Sequence, residues 1–279
     1  MSCQLKEVAV AHSPDSDDAF MFYGIAKGLL DTEGLKINQV HKDIQSLNQE
    51  ALSGKYEVSA ISFAAYPYIS DRYKIMTCGA SMGDNYGPVL VCRKDFKVED
   101  LENTVVAIPG ELTTAFLALN LYKPGLKVQE EEFDQIINMV AEGKYDAGLL
   151  IHEGQLTYES LGLKKLVDLG VWFMEETGLP LPLGGNAIRK DLGDHMIEKL
   201  SKILKKSIEF SLENREEALA YAMTFAPDMP KDLADRFVGM YVNEITVDQG
   251  ERGKQAIIKL FEMANEKGLF EKPVVPEFA

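Results

Sequence analysis

Val91-Cys92-Arg93-Lys94-Asp95-Phe96 and Ala187-Ile188-Arg189-Lys190-Asp191-Leu192 each close an apolar, strand-like run with the same Arg-Lys-Asp triplet. If both are connecting strands running side by side between two lobes, the chain between them forms an inserted domain. The expected division is then residues 1–93 with 188–279 as one discontinuous α/β domain and 94–187 as a smaller α/β domain. Two lobes joined by a two-strand hinge leave a cleft between them, a common place for a ligand to be gripped.

Outward from these strands, the chain alternates strand-like and helix-like segments, the pattern of an α/β protein with helices packed on mainly parallel sheets. Glu7 to His12, Leu35 to His41 and Val58 to Ser62 read as strands, with helical apolar spacing over Asp18 to Leu30 and Ile44 to Ser53 between them. Strands are expected next at Ile75 to Gly79 and Gly87 to Cys92. The unit then restarts with strand Thr104 to Ile108, helix Thr113 to Leu121, strand Leu126 to Val128, helix Phe133 to Glu142 and strand Ala147 to Ile151. From Met196 the chain is mostly helical, through Met196 to Leu212, Glu216 to Thr224, Lys231 to Val242 and Arg252 to Lys267.

Composition narrows the function. At 279 residues and 46% hydrophobic, the chain can bury a substantial core. Its 44 acidic against 29 basic residues give a net charge of −15, which repels phosphate backbones and anionic membrane faces, so nucleic acid is not expected as a partner. Cys3, Cys78 and Cys92 are odd in number and irregular in spacing, which suggests neither a disulfide framework nor a zinc site and fits a reducing cytoplasm. Val8 to Ala11 is too short for the core of a secretory leader, and no apolar run reaches the roughly 20 residues that span a bilayer, so no membrane insertion is expected. The oligomeric state is not legible.

Candidate chemistry sits at strand ends. In Gly148-Leu149-Leu150-Ile151-His152-Glu153-Gly154 an apolar run ends on a histidine, whose neutral form can take a proton near pH 7. An isolated histidine there more often only bonds a loop, but three further loops keep it company. Ser13-Pro14-Asp15-Ser16-Asp17-Asp18 leads into a helix that its side chains can cap. A divalent-metal reading of these acids lacks the glycine and final glutamate of a calcium loop. Ser62 closes an apolar strand where the chain turns helical, and free amides at such a start suit a carboxylate or phosphate. Pro109-Gly110-Glu111-Leu112-Thr113-Thr114 is again strand, turn and helix, with a threonine that ordinarily only caps. His12 precedes the first loop, while His41 and His195 lie in polar surroundings. Nucleophile-elbow, phosphate-loop, dinucleotide and His-x-x-x-His zinc signatures are all missing.

Ser13-Pro14 with Asp18 and Phe20, Ser62 to Tyr66, Pro109-Gly110 with Thr113 to Ala115, Ile151 to Glu153, Asp168 to Gly170, Glu175 to Gly184 and Tyr241 to Asn243 together resemble one enzyme family. It is the 1,4-dihydroxy-6-naphthoate synthases of the futalosine route to menaquinone, and the resemblance runs almost end to end. It implies a two-lobed fold like that of type 2 periplasmic solute-binding proteins, used as a cytoplasmic enzyme without metal or organic cofactor. The implied substrate is cyclic dehypoxanthine futalosine. By the same resemblance His152 is the general base, and Ala60, Ile61 and Ser62 bind substrate from one lobe, Thr113 and Thr114 from the other, together with Asp18. The implied reaction is a carbon–carbon lyase step in which loss of a sugar-derived fragment lets the ring system aromatise.

One stretch departs from the family pattern. Many members read Ser-Pro-Cys-Pro-Asn-Asp-Thr, whereas this chain has Asp15, Ser16, Asp17 and Ala19 at the differing positions. The added negative charge does not suit a substrate carboxylate unless those side chains cap the helix. Two alternatives stay open at this point: chorismate dehydratase of the same pathway, and a solute-binding protein that closes on a small carboxylate without chemistry.

Overall fold

The computed structural model describes residues 6–93, 96–226 and 229–279. The first stretch carries β1 (Lys6–His12), α1 (Ser16–Met21), α2 (Tyr23–Ala26), β2 (Leu35–His41), α3 (Ile44–Ala51), β3 (Val58–Ser62), β4 (Tyr73–Ile75) and β5 (Ser81–Gly83). Next come β6 (Val89–Cys92), β7 (Val105–Ile108), α4 (Thr114–Tyr122), β8 (Lys127–Glu130), α5 (Ile136–Ala141), β9 (Ala147–Leu150), α6 (Gly154–Thr157), β10 (Lys164–Asp168) and α7 (Leu169–Thr177). The chain ends with β11 (Leu181–Arg189), α8 (Asp194–Glu213), α9 (Arg215–Ala222), α10 (Lys231–Tyr241), α11 (Glu244–Val247) and α12 (Gly250–Glu266).

These strands form two sheets, ordered β2-β1-β3-β11-β4, with β5 also on β11, and β10-β6-β9-β7-β8. Each contains a parallel trio joined by helical crossovers, β2-β1-β3 in one and β8-β7-β9 in the other. The remaining pairings are antiparallel, so the sheets are mixed rather than mainly parallel. Every residue of β3 and of β9 is buried, as their unbroken small and apolar runs require of strands covered on both faces. The loops at the C-terminal ends of β1, β3, β7 and β9 hold the candidate residues, the usual binding edge of such sheets.

The two Arg-Lys-Asp strands are not neighbours. β6 pairs with β9 and β10, whereas β11 pairs with β3, β4 and β5. What they share is a strand end at the surface: Arg189 bonds Asp191 at 2.8 Å and pairs with Glu57 at 3.3 Å, and Arg93 pairs with Asp146. Lys94 and Asp95 lie outside the described residues. The chain passes between sheets one segment earlier than expected at each place, over 84–88 and 169–180. Boundaries at 93/94 and 187/188 would therefore assign β6 and most of β11 to the wrong sheet. The crossings do touch: Leu169 N–H donates to the Pro88 carbonyl at 2.9 Å, and Gly170 lies so close that a Cβ there would sit 1.8 Å from the Tyr86 carbonyl oxygen.

Helix ends differ from the periodicity for identifiable reasons. The helix expected over Asp18 to Leu30 breaks at Phe22, where Ser207 Oγ donates to the buried Met21 carbonyl at 2.8 Å and Phe22 stacks on His12 at 4.2 Å. That expected from Phe133 begins only at Ile136, leaving the Phe133 ring 4.9 Å from the His152 ring. The strand expected over Ile75 to Gly79 stops at Ile75; Met76 N–H bonds the Asn186 carbonyl and Gly79 N–H the Thr246 carbonyl. In α8 the buried Ile197, Leu200, Ile203, Leu204, Ile208 and Ser211 recur at helical spacing and pack on α1 and α2.

Candidate active site

The loop ends converge on one cavity of about 710 Å³ including its open mouth. From the first sheet's side it is lined by Ser13, Asp15, Asp17, Asp18, Ala60, Ile61 and Ser62, and from the second by Thr114, Ala115, Ile151, His152 and Gln155. Gly184 and Gly185 of β11 and Phe237 and Tyr241 of α10 line it as well. Of the expected residues, His152, Ala60, Ile61, Ser62, Thr114 and Asp18 come together here. Thr113 is outside the lining, because its hydroxyl caps α4: it accepts from Phe116 N–H at 3.3 Å and donates to the Gly110 carbonyl at 2.7 Å.

Ser62 and Thr114 are held by cross-chain bonds that fix where they face. Asn48 accepts from Ser62 N–H at 2.8 Å and donates to Ser62 Oγ at 3.0 Å. Thr114 Oγ1 accepts from Ala64 N–H at 3.1 Å and donates to the Leu183 carbonyl at 2.6 Å, which joins the start of α4 to the turn after β3 and to β11.

His152 adopts φ +51°, the left-handed region, at a cost of roughly 1–2 kcal/mol for a residue with a Cβ. Strain of this kind persists where the surroundings over-determine it. Gln155, on the following turn, supplies that constraint. Its amide lies 2.7 Å from Tyr241 Oη, 2.6 Å from the Gly87 carbonyl and 3.2 Å from the His152 N–H. All three contacts are satisfied with the NH₂ on Gly87 and Tyr241 and the oxygen on His152. The sequence signal for Gln155 was its position three residues after the histidine. Tyr241 is too distant in the chain to have been paired with it.

The imidazole lies against Phe133 and Phe237, and its Nε2 is enclosed without a hydrogen-bond partner among the described residues. Asp15 Oδ2 is 3.4 Å from that nitrogen. Burial depresses the His152 pKa, but Asp15, Glu153, Asp17 and Asp18 outweigh it and hold the value above that of an ordinary histidine. Burial in turn raises the acids: Asp17 to about 6, with Asp15 and Glu153 adding to the rise against the pull of His152, and Asp18 well above its ordinary value, with Asp17 adding. Burial lifts Glu153 as well. Asp17 and Asp18 therefore hold their protons more tightly than ordinary aspartates do. His12, buried behind the loop and bonded through Nδ1 to the Ser13 carbonyl oxygen at 2.8 Å, is pushed down to about 4 chiefly by burial. Among the described residues no three His, Cys, Asp or Glu side chains are grouped to hold a metal ion.

Two sheets joined by adjacent crossings, with a cavity walled by both, make a periplasmic-binding-protein-like fold. A Candida albicans protein described as exhibiting that generic fold superposes with a TM-score of 0.74 at 12% identity, covering 96% of this chain and 92% of its own. An Archaeoglobus fulgidus crystal structure matches at 46% identity and a TM-score of 0.90, over 94% of this chain and 98% of that one. Residues 8–266 match the family profile described as menaquinone biosynthesis. The 1,4-dihydroxy-6-naphthoate synthase of Thermus thermophilus is 37% identical over 95% of this chain and 96% of its own length. The chain belongs to this family of menaquinone-biosynthesis enzymes. Among the described residues no helix is long and apolar enough to cross a membrane.

Proposed function

We propose that this chain is a cytoplasmic carbon–carbon lyase that converts cyclic dehypoxanthine futalosine to 1,4-dihydroxy-6-naphthoate, with His152 as the general base. The observation that carries this reading is the His152 Nε2, enclosed and without a hydrogen-bond partner among the described residues, at the wall of a cavity shared by both sheets. Ala60, Ile61, Ser62, Thr114 and Asp18 are the substrate-contacting residues in this reading; Thr113 acts through the helix it caps. The two lobes divide at the 84–88 and 169–180 crossings. The base takes a proton from the substrate, the sugar-derived fragment departs, and aromatisation drives the step, so the protein contributes position and proton transfer. Irregular cysteine usage supports a reducing compartment.

Mass-spectrometric detection of 1,4-dihydroxy-6-naphthoate after incubating the purified protein with cyclic dehypoxanthine futalosine tests this. Product from the wild type, with a loss of about 10²-fold or more in His152→Ala, is the expected result. Tight binding of the substrate without product overturns it, as does product formed equally by His152→Ala.

A further inference from the structure

We propose that Asp15, at a position where the chain departs from the family pattern, is a positioning residue for His152: its carboxylate holds the imidazole toward the cavity and stabilises the proton that the ring receives. This rests on His152 being the base.

Four observations carry it. Asp15 Oδ2 faces His152 Nε2 at 3.4 Å, and the two side chains are only 11% and 18% exposed. Asp15 occupies the N-cap position of α1, yet its side chain makes no capping bond, so helix capping does not account for it. The carboxylate is instead anchored by Ser13, whose hydroxyl donates to Oδ2 and accepts from Asp15 N–H at 2.9 Å. Alongside, Ser16 Oγ donates to Glu153 Oε1 at 3.0 Å, so the loop after β1 and the start of α1 meet the turn after β9 at two consecutive residue pairs.

The groups that face the ring make the test specific. Phe133 and Phe237 flank it without charge, while Asp15 from the loop after β1, Asp17 and Asp18 from the first turn of α1, and Glu153 from its own turn surround it with carboxyls. Asp15 is the acid in ion-pair distance of Nε2. Its loss therefore removes the nearest stabilisation of the protonated ring and should make His152 easier to deprotonate.

The test is Asp15→Asn, read two ways. In steady-state assays kcat should fall roughly tenfold or more with KM little changed, and the acid limb of the kcat/KM profile should move to lower pH. A kcat and acid limb like those of the wild type overturn the proposal. The second reading needs no substrate: NMR titration of His152, assigned by its absence in His152→Gln. The midpoint should lie above about 6.5 in the wild type and fall by about half a unit or more in Asp15→Asn. An unchanged midpoint in a folded Asp15→Asn sinks the idea. Should that variant not fold, a wild-type midpoint at or below about 6.5 does so. Since this titration reads the pair in the free protein, it separates failure of the pair from failure of the proposed reaction.

Discussion

Ser16 Oγ donates to Glu153 Oε1 at 3.0 Å, a bond between residues 137 positions apart that ties the start of α1 to the turn after β9. With the neighbouring Asp15 and His152 side chains 3.4 Å apart, it brings the acidic loop of one sheet against the histidine of the other. His152 and Asp15, the acid nearest its Nε2, thus come from opposite walls of the cavity.

If His152 takes the proton, it must be neutral to act, and its environment holds its pKa above the ordinary histidine value. The acid limb of kcat/KM in the wild type should accordingly fall above pH ~6.5, with activity rising as pH increases through it. The same raised pKa stabilises the fold below the unfolded value, and that contribution is lost as pH rises through the folded one. A pH–rate profile with its acid limb well below pH ~6 would remove His152 from the base role.

The adjacent threonines should separate cleanly. Thr113→Val removes the α4 cap and should cost about 1 kcal/mol of stability with KM unchanged. Thr114→Val removes a cavity-wall hydroxyl that also bonds Ala64 N–H and the Leu183 carbonyl, and should raise KM as well as lower Tm. Denaturant melts beside Michaelis–Menten measurements check both; a KM effect confined to Thr113→Val would reverse the assignment.

Asp17 is 8% exposed, with a pKa raised by burial from 3.8 to about 6. Below the unfolded value the carboxyl is neutral in both states. Between that value and about 6 the unfolded chain ionises while the folded one keeps its proton, so stability falls as pH rises across the window. Asp17→Asn should therefore raise stability at pH ~7.5 by of the order of 2 kcal/mol and change it little at pH ~3.5. Thermal melts at the two pH values decide it.

At the crossing between sheets, a Cβ on Gly170 would lie 1.8 Å from the Tyr86 carbonyl oxygen and 2.6 Å from Gly87 N. Both are backbone atoms, which cannot turn aside as a side chain could. Gly170→Ala should cost about 3 kcal/mol and disturb the approach of the two crossings. A melting temperature within a degree or two of the wild type would show that the crossings separate without penalty.

Much of the scaffold was legible because local periodicity and burial agree there. β2 and β3 fall on the expected residues, and α8 and α12 follow apolar stripes that pack as helices should. The boundary of the inserted sheet was not legible: the Arg-Lys-Asp echo marks strand ends meeting solvent, and it carries no information on which sheet a strand joins. The short β5 and the glycine-rich first half of β11 were missed for a related reason. Ser81–Gly83 and Leu181–Gly184 pair with each other, and neither has a side-chain pattern that marks a strand on its own.

By itself the sequence determined the repeated strand–helix units, the turn residues at their ends, the family and the histidine at the close of β9. The family follows from the resemblance of its motifs to those of known members, and the other properties from spacing along the chain and side-chain type. Only the tertiary structure decided that Asp15, rather than the adjacent Glu153, faces His152 Nε2, that Gln155 and Tyr241 brace the strained histidine backbone, and that Thr113 caps while Thr114 lines the cavity. Adjacent residues diverge in direction, and partners far apart in the chain meet only once both sheets and the crossings between them have formed. The raised pKa values of Asp17, Asp18 and His152 belong to the same level, because desolvation and mutual charge exist only after the groups have been brought together.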